Sequence, residues 1–380
     1  MLQVRKNCSI LGPITSSLND LPAPMNISLW WNAGSLLGMT LGLQIATGLF
    51  LAMHYSPWTA TAFSSITDLT REVSLGTVIR GMHANGASLF FVLLYFHMGR
   101  SSYFGSYVKY KTWNLGVVIL LLSMATAFVG YVLVWGQMSF WGATVITNLL
   151  SAIPYMGPAI VEWVWGGFAV DNATLNRFFV FHFILPFVIA VVVMLHLIML
   201  HDTGSTNPLG LKTIAHKASF HPFFSWKDTI GFIIFFTSVA GFSLIFPDMF
   251  TDPENYMPAN SMSTPVHIKP EWYFLWAYAI LRSIPNKLGG VIAMFAAILI
   301  LFSVPKYWKF RMRSVKNYPI SCMLYWLLCV DLVLLTWIGG CPVEDPYINL
   351  GMILTILYFS LFVLIPLYAN YQDKMFYFKR

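Results

Sequence analysis

Four histidines carry the chemistry of this sequence. His83 and His97 stand fourteen positions apart in one apolar stretch, and His182 and His196 stand fourteen apart in another. Fourteen residues at ~100° each make nearly four helical turns, so both histidines of a pair face one side of a helix, about 21 Å apart along its axis. An imidazole in a lipid-buried helix loses solvation and needs a partner, and packing alone has no reason to repeat this interval in two helices. Two ligands per site from two helices, with no Cys, Asp or Glu beside them, suit a flat metal macrocycle held on both faces better than tetrahedral zinc. The pattern predicts two bis-histidine haems. Six-coordinate iron without an open position favours electron transfer over oxygen binding. Cys8, Cys322, Cys329 and Cys341 form neither paired zinc spacing nor a C-x-x-C-H, so the haems are expected to be non-covalent and b-type.

Other residues repeat the histidine interval or flank it. Gly34 and Gly48, and Gly116 and Gly130, are also fourteen apart, and a missing side chain lets a large flat ligand approach a helix backbone. Small-residue helix packing explains the first pair equally well, because Gly38 and Gly42 continue the stripe. Arg80 lies one turn before His83 and Arg100 one turn after His97. An arginine beside each haem level is where a propionate partner belongs, although a snorkelling boundary arginine reads the same way.

These side chains need membrane-spanning helices to position them. Of 380 residues 57% are apolar and 10% charged, with a mean hydropathy of +0.67, far from soluble globular usage. The expected fold is an all-α membrane protein with eight transmembrane helices, at 32–53, 77–104, 113–134, 178–200, 228–246, 288–308, 320–340 and 349–370. The first four form a four-helix bundle around the haems. Of the 22 Lys and Arg residues, the segments on the outer side hold only Arg71, Arg80, Arg177, Lys269, Arg282 and Lys287. The bias sets both termini inside. The net charge of +7 is thus a topology signal; no basic patch or motif points to nucleic acid.

The chain divides into an interfacial segment at 1–31, a haem-binding bundle at 32–210, and spans five to eight at 211–380 with an outer loop at 247–287. The segment 54–76 reads as a short polar loop. The connection 135–176 is too long for a turn and too broken by Gly and Pro to span, so two amphipathic pieces, 136–152 and 157–167, are expected to lie at the outer surface. A short helix is expected from Glu271 to Arg282 with Pro270 at its start, and Pro186 is placed to kink the fourth span.

The runs Pro270-Glu271-Trp272-Tyr273, Gly136 to Thr144 (GQMSFWGAT) and His201 to Pro208 (HDTGSTNP) join the histidine pairs. Together they resemble cytochrome b, the di-haem membrane subunit of quinol:cytochrome c oxidoreductase (respiratory complex III), over essentially the whole chain. The resemblance implies that His83 with His182 holds an outer haem and His97 with His196 an inner one. It implies quinol oxidation at an outer site formed by Glu271, Tyr273, Tyr131, Phe128 and Gly142, with Tyr278 close by. It implies quinone reduction at an inner site formed by His201, Asp228, Ser205, Trp31 and Asn32, with Lys227 assisting proton uptake. Implied partners are ubiquinone, a Rieske-type iron-sulfur protein, cytochrome c1 and a second copy of the chain. The chain is unbroken and keeps fourteen residues between the fourth-span histidines, unlike the photosynthetic relatives. Its compact loops resemble mitochondrial members, which implies the inner mitochondrial membrane with both termini in the matrix.

Several alternatives stay open on the residues alone. His201 and Asp228 read as ordinary boundary residues, and Glu271 also suits a helix N-terminus. Intramembrane histidines could relay protons in a transporter, and another dehydrogenase could use a di-haem quinone-linked subunit.

Overall fold

A bilayer offers the backbone no hydrogen-bond partners, so each apolar stretch must satisfy its own amides and carbonyls as a helix. The computed structural model describes residues 12, 15, 16, 19–211 and 216–377; Cys8 and most of the first eighteen residues lie outside the described residues. Among the described residues eight helices are long and apolar enough to cross a membrane: Leu29–Ala52, Gly76–Tyr103, Tyr110–Val132, Asn172–Thr203, Phe223–Ile245, Lys287–Tyr307, Pro319–Gly340 and Tyr347–Met375. They are called spans one to eight here.

Each span matches an expected one and begins one to three residues earlier, except spans four and five, which begin six and five residues earlier. Span four starts at Asn172, six positions ahead of the apolar run, because Asp171 and Thr174 form a capping box that satisfies two orphan amides. It is helical throughout, Pro186 included. Span five starts at Phe223, so Lys227 and Asp228 sit within its first turns and not in the preceding segment.

Span one packs on span two, and span three on span four. The two pairs enclose the space that the four histidines face, and span five closes one side against spans one and two. Spans six to eight build the largest apolar core with the inward faces of spans two and three, around Phe91, Trp113, Leu120, Ile280, Leu335 and Leu361.

The connections on the side away from the start of span one, called outer here as against inner for the other side, are more structured than a polar reading of them suggests. The segment between spans one and two contains a helix at Ala62–Glu72, which buries Ala62 and Leu69. Surface helices lie at Gln137–Asn148 and Gly157–Trp165. The expected short helix runs as a 3-10 turn, Trp272–Phe274, into an α-helix, Leu275–Arg282. On the inner side Pro22–Pro24 pairs antiparallel with Lys217–Ser219, with Ala23 opposite Ala218. This pair ties the approach to span one to the approach to span five.

Candidate functional site

The four histidines meet across the bundle in two pairs. The rings of His83 and His182 are 6.1 Å apart between centroids, and those of His97 and His196 are 6.5 Å apart. An imidazole nitrogen binds a first-row metal at about 2.0–2.1 Å. Adding roughly 1.1 Å from that nitrogen to the ring centre gives about 6.3 Å between the rings of two axial ligands on one metal. Both gaps therefore match a single metal ion held between the rings. No third His, Cys, Asp or Glu joins either pair among the described residues, which leaves the equatorial positions to a macrocycle.

In the pair His83 and His182 the second ring nitrogen of each is held by the neighbouring helix. His182 Nδ1 lies 2.9 Å from the Thr126 carbonyl oxygen, which can only accept, so Nδ1 carries the proton and Nε2 keeps its lone pair. His83 Nδ1 lies 2.9 Å from Thr47 Oγ1. The Thr47 hydroxyl already donates to the Leu43 carbonyl at 2.7 Å, so it accepts from His83 and fixes the same tautomer. For His196 the corresponding carbonyl is that of Thr112, which does not reach full hydrogen-bonding geometry with Nδ1.

The four glycines stand against these imidazoles. A Cβ on Gly34 would meet His97 Cε1 at 3.2 Å, one on Gly48 would meet His83 Cε1 at 3.1 Å, and one on Gly116 would meet His196 Cε1 at 3.4 Å. At Gly130 it would overlap the His182 ring. Each of the four therefore stands beside a histidine ring at the level where a macrocycle would be held. Their missing side chains let the histidine rings lie against the neighbouring helix backbone; in the outer pair Thr126 and Thr47 of those helices then accept from Nδ1.

Each pair opens into its own cavity. The outer cavity is lined by His83, His182, Arg80, Tyr131, Glu271 and Tyr273. Glu271 is the N-cap of the Trp272–Phe274 turn but makes no capping hydrogen bond; it pairs with Tyr131 instead. Burial pushes its carboxyl up to about 7. The Tyr131 hydrogen bond opposes that shift, the Asp252 carboxylate reinforces it, and Arg80 and Lys269 pull against it. Tyr273 is stacked on Phe91 with centroids 4.2 Å apart and planes 4° from parallel, and its carbonyl accepts from the Tyr95 hydroxyl. Phe128 packs on Phe178, Tyr278 lies under the Arg282 guanidinium, and Gly142 has open space before it. None of these three lines the outer cavity.

The roof over this cavity is held by residues that the sequence did not single out. Asn255 is buried, and its Oδ1 accepts from both the backbone N–H and the hydroxyl of Ser139, at 2.9 and 3.0 Å. Gln137 binds the same loop at both ends of its amide, accepting from Asn260 N at 2.7 Å and donating to Ser263 O at 3.0 Å. A side chain on Gly136 would strike Asn255. The polar positions within the GQMSFWGAT run were the available signal, since amides buried at a surface helix need partners.

The inner cavity, of ≈ 680 Å³, is within the range of ligand pockets. Trp31, Asn32, His201, Ser205, Lys227 and Asp228 all line it, together with His97, His196 and Arg100. Asp228 lies beside Ser35 and Asn32, and Lys227 donates to the Ile27 carbonyl. The Trp31 indole nitrogen and the Ser28 hydroxyl are buried without partners, so donors remain free for a bound molecule. Arg100 lies 4.9 Å above the Trp31 ring, and its buried Nε has no partner. Its terminal nitrogen is 3.3 Å from His97 Nδ1. An unsatisfied guanidinium beside the ring pair is what a carboxylate of a macrocycle would complete.

Two sequence profiles match the chain: Cytochrome b/b6/petB over residues 18–204 and Cytochrome b(C-terminal)/b6/petD over residues 258–359. A solved chain described as a hyperthermophilic respiratory Complex III is similar over 98% of this chain and 99% of that one, at 29% identity and a TM-score of 0.91. With both halves matched in order, and facing histidine pairs spaced for axial ligation, this chain belongs to the cytochrome b family of b-type haem-binding membrane proteins.

Proposed function

We propose that the chain is the electron-transfer subunit of a quinol:cytochrome c oxidoreductase, oxidising ubiquinol at the outer cavity and reducing ubiquinone at the inner one. The observation that carries this reading is the joining of each histidine pair to a separate cavity bearing titratable groups, Glu271 in one and His201 with Asp228 in the other. His83 with His182, and His97 with His196, would hold two b-type haems, with Arg80 and Arg100 beside their propionates. When bound, these supply one-electron redox centres on either side of the membrane midplane.

The protein's own residues handle the protons. Glu271, with its carboxyl near neutrality, accepts a proton from a quinol hydroxyl, and Tyr131 orients the carboxylate. Tyr273 forms part of the aromatic wall that keeps water from the ring. At the inner cavity His201 and Asp228 hydrogen-bond the quinone carbonyls and deliver protons, with Ser205, Trp31 and Asn32 positioning the ring and Lys227 on the supply side. Protons leave outside and enter inside, so turnover builds a proton gradient.

The chain works, on this reading, with a Rieske-type iron-sulfur protein docked at the outer roof, with cytochrome c1, and as a homodimeric complex. Its compact loops and the distribution of Lys and Arg support the inner mitochondrial membrane with both termini in the matrix. The chain then divides functionally into the segment 1–31, the haem bundle 32–210, and 211–380 with the quinol-site loop 247–287.

Asp228→Asn tests the separation of the two cavities. Reduction of the b-type absorbance by added quinol through the outer cavity is expected to keep its rate, while reoxidation by quinone through the inner cavity slows about 10²-fold, the size of a lost general acid. Stopped-flow absorbance with an outer-site inhibitor added after reduction reads both rates. Equal reoxidation in the variant and the parent would remove Asp228 from quinone reduction.

A further inference from the structure

Span two carries a second stripe besides its histidines. Ser88, Phe91 and Tyr95 are spaced three and four apart, so they share one face of the helix. At ~100° per residue that face lies roughly 80–140° around the helix from the one bearing His83 and His97. The groups on it meet the turn that begins at Glu271. The Trp272 indole nitrogen donates to the Ser88 hydroxyl at 3.1 Å, the Tyr273 ring stacks on Phe91, and the Tyr95 hydroxyl donates to the Tyr273 carbonyl. The same hydroxyl accepts from the Trp276 indole nitrogen at 3.1 Å.

Glu271 makes no hydrogen bond to span two among the described residues. Its backbone carbonyl closes the turn by accepting from Phe274 N at 2.9 Å, and its side chain pairs with Tyr131 on span three. Where the carboxyl stands is therefore set by how Trp272 and Tyr273 are tied down. Tyr95 holds the junction itself, because Tyr273 belongs to the 3-10 turn and Trp276 to the α-helix that follows. Tyr273 and Trp276 are buried, so without the Tyr95 hydroxyl a carbonyl and an indole N–H would be left unpaired away from water. Such groups shift until they find partners, and the turn shifts with them.

We infer that Ser88, Phe91 and Tyr95 are positioning residues for quinol oxidation, and that Tyr95 fixes the place of the Glu271 carboxyl in the outer cavity. This rests on the reading of that cavity as the quinol-oxidising site. Ser88 and Phe91 line the cavity with Glu271 and Tyr273, whereas Tyr95 and Trp276 do not, so Tyr95 acts through the turn and not on the quinol. One helix thus presents the proposed axial ligands on one face and the support of the proton acceptor on another, which keeps both in a single rigid frame. A reacting group misplaced by ~1 Å can lose about 10²-fold in rate, and the stripe guards against that displacement.

The test is steady-state quinol oxidation by the haem-loaded complex across pH, with kcat and KM separated and haem per chain as the folding control. Tyr95→Phe is expected to lower kcat and kcat/KM together by about 10–100-fold, because a misplaced base is missed in the transition state and not in quinol binding. Its acid limb should also move to higher pH. Burial and Asp252 hold the Glu271 carboxyl up, while Tyr131, Arg80 and Lys269 pull it down; a turn that drifts weakens the Tyr131 hydrogen bond and leaves the carboxyl harder to ionise. Ser88→Ala is expected to act in the same direction with a smaller loss. It stands five residues from the nearest histidine, so it carries the test if Tyr95→Phe loses haem. Tyr325→Phe removes a comparable tether near the inner end of span two, a hydroxyl that donates to the Gly99 carbonyl at 2.7 Å, and is expected to change neither rate nor limb. Glu271→Gln is measured beside them. Parent-like turnover in Glu271→Gln overturns the outer-site reading itself. Slow turnover in Glu271→Gln, with parent rates and limbs in Tyr95→Phe and Ser88→Ala, overturns the positioning role alone. So does a rate lowered by one factor at every pH in step with lost haem.

Discussion

His182→Leu leaves a folded chain with one haem. The outer ring pair is spaced for one metal, with centroids 6.1 Å apart, and no other His, Cys, Asp or Glu stands ready to replace a lost ligand among the described residues. Loss of a residue that only hydrogen-bonds a metal ligand typically costs about 10–100-fold in metal affinity; loss of the axial imidazole costs more, and the outer haem dissociates. The inner pair sits nearly four turns away and keeps its own. Haem per chain, measured by pyridine haemochrome, is expected to fall from two to one, with quinol-driven cytochrome c reduction below about a hundredth of the parent. The glycines grade the same effect. Gly130→Ala puts a methyl group into the His182 ring and tilts it off axis, whereas Gly116→Ala meets His196 at an ordinary 3.4 Å. Gly130→Ala should therefore lose outer haem while Gly116→Ala retains both. Two haems per chain in His182→Leu would exclude His182 as a ligand.

Glu271→Gln is expected to slow quinol oxidation by about 10²–10⁴-fold while leaving both haems bound, since it removes a proton acceptor and keeps the shape of the side chain. The pH profile separates this role from simple packing. The acceptor is the carboxylate, and the carboxyl is held up to about 7. The parent rate should climb as pH rises toward 7 and level off above it, because protonation below 7 removes the base. The Gln variant should show no such limb. Tyr131→Phe removes a hydrogen bond that favours the carboxylate, so its limb should move to higher pH. Steady-state turnover across pH, with saturating quinol, reads all three. An unchanged rate in Glu271→Gln would take Glu271 out of the reaction.

The histidine pairs were legible because axial ligation demands one helical face at two levels, and that demand leaves an interval in the sequence. The eight spans were legible for an equally direct reason, the length of apolar run that a bilayer requires. Gly34, Gly48, Gly116 and Gly130 repeat the histidine interval, which does not show what stands opposite them. Spacing reports position along a helix, and only the packing of one helix on another reveals that an imidazole edge fills the space.

Other features left little periodic trace. Pro22–Pro24 is a three-residue strand with prolines at both ends, a composition that argues against strand, and it forms because Lys217–Ser219 is brought beside it. The helix at Ala62–Glu72 reads as polar loop because only Ala62 and Leu69 are fully buried. Asn255 looks like any loop asparagine until Ser139 is seen to donate to it twice. His201 and Asp228 gained meaning from a family resemblance, and their shared cavity with Trp31 and Asn32 depends on the fold that joins spans one, four and five.

The most direct measurement is a redox titration of the reduced-minus-oxidised spectrum of the purified chain. Two b-type components of equal amplitude, two haems per chain and separated midpoints are the predicted result, because the outer pair stands beside Glu271 and Arg80 and the inner pair beside Arg100 and Asp228. A folded chain without haem absorbance would contradict the account, and would bring forward a transporter whose histidines relay protons.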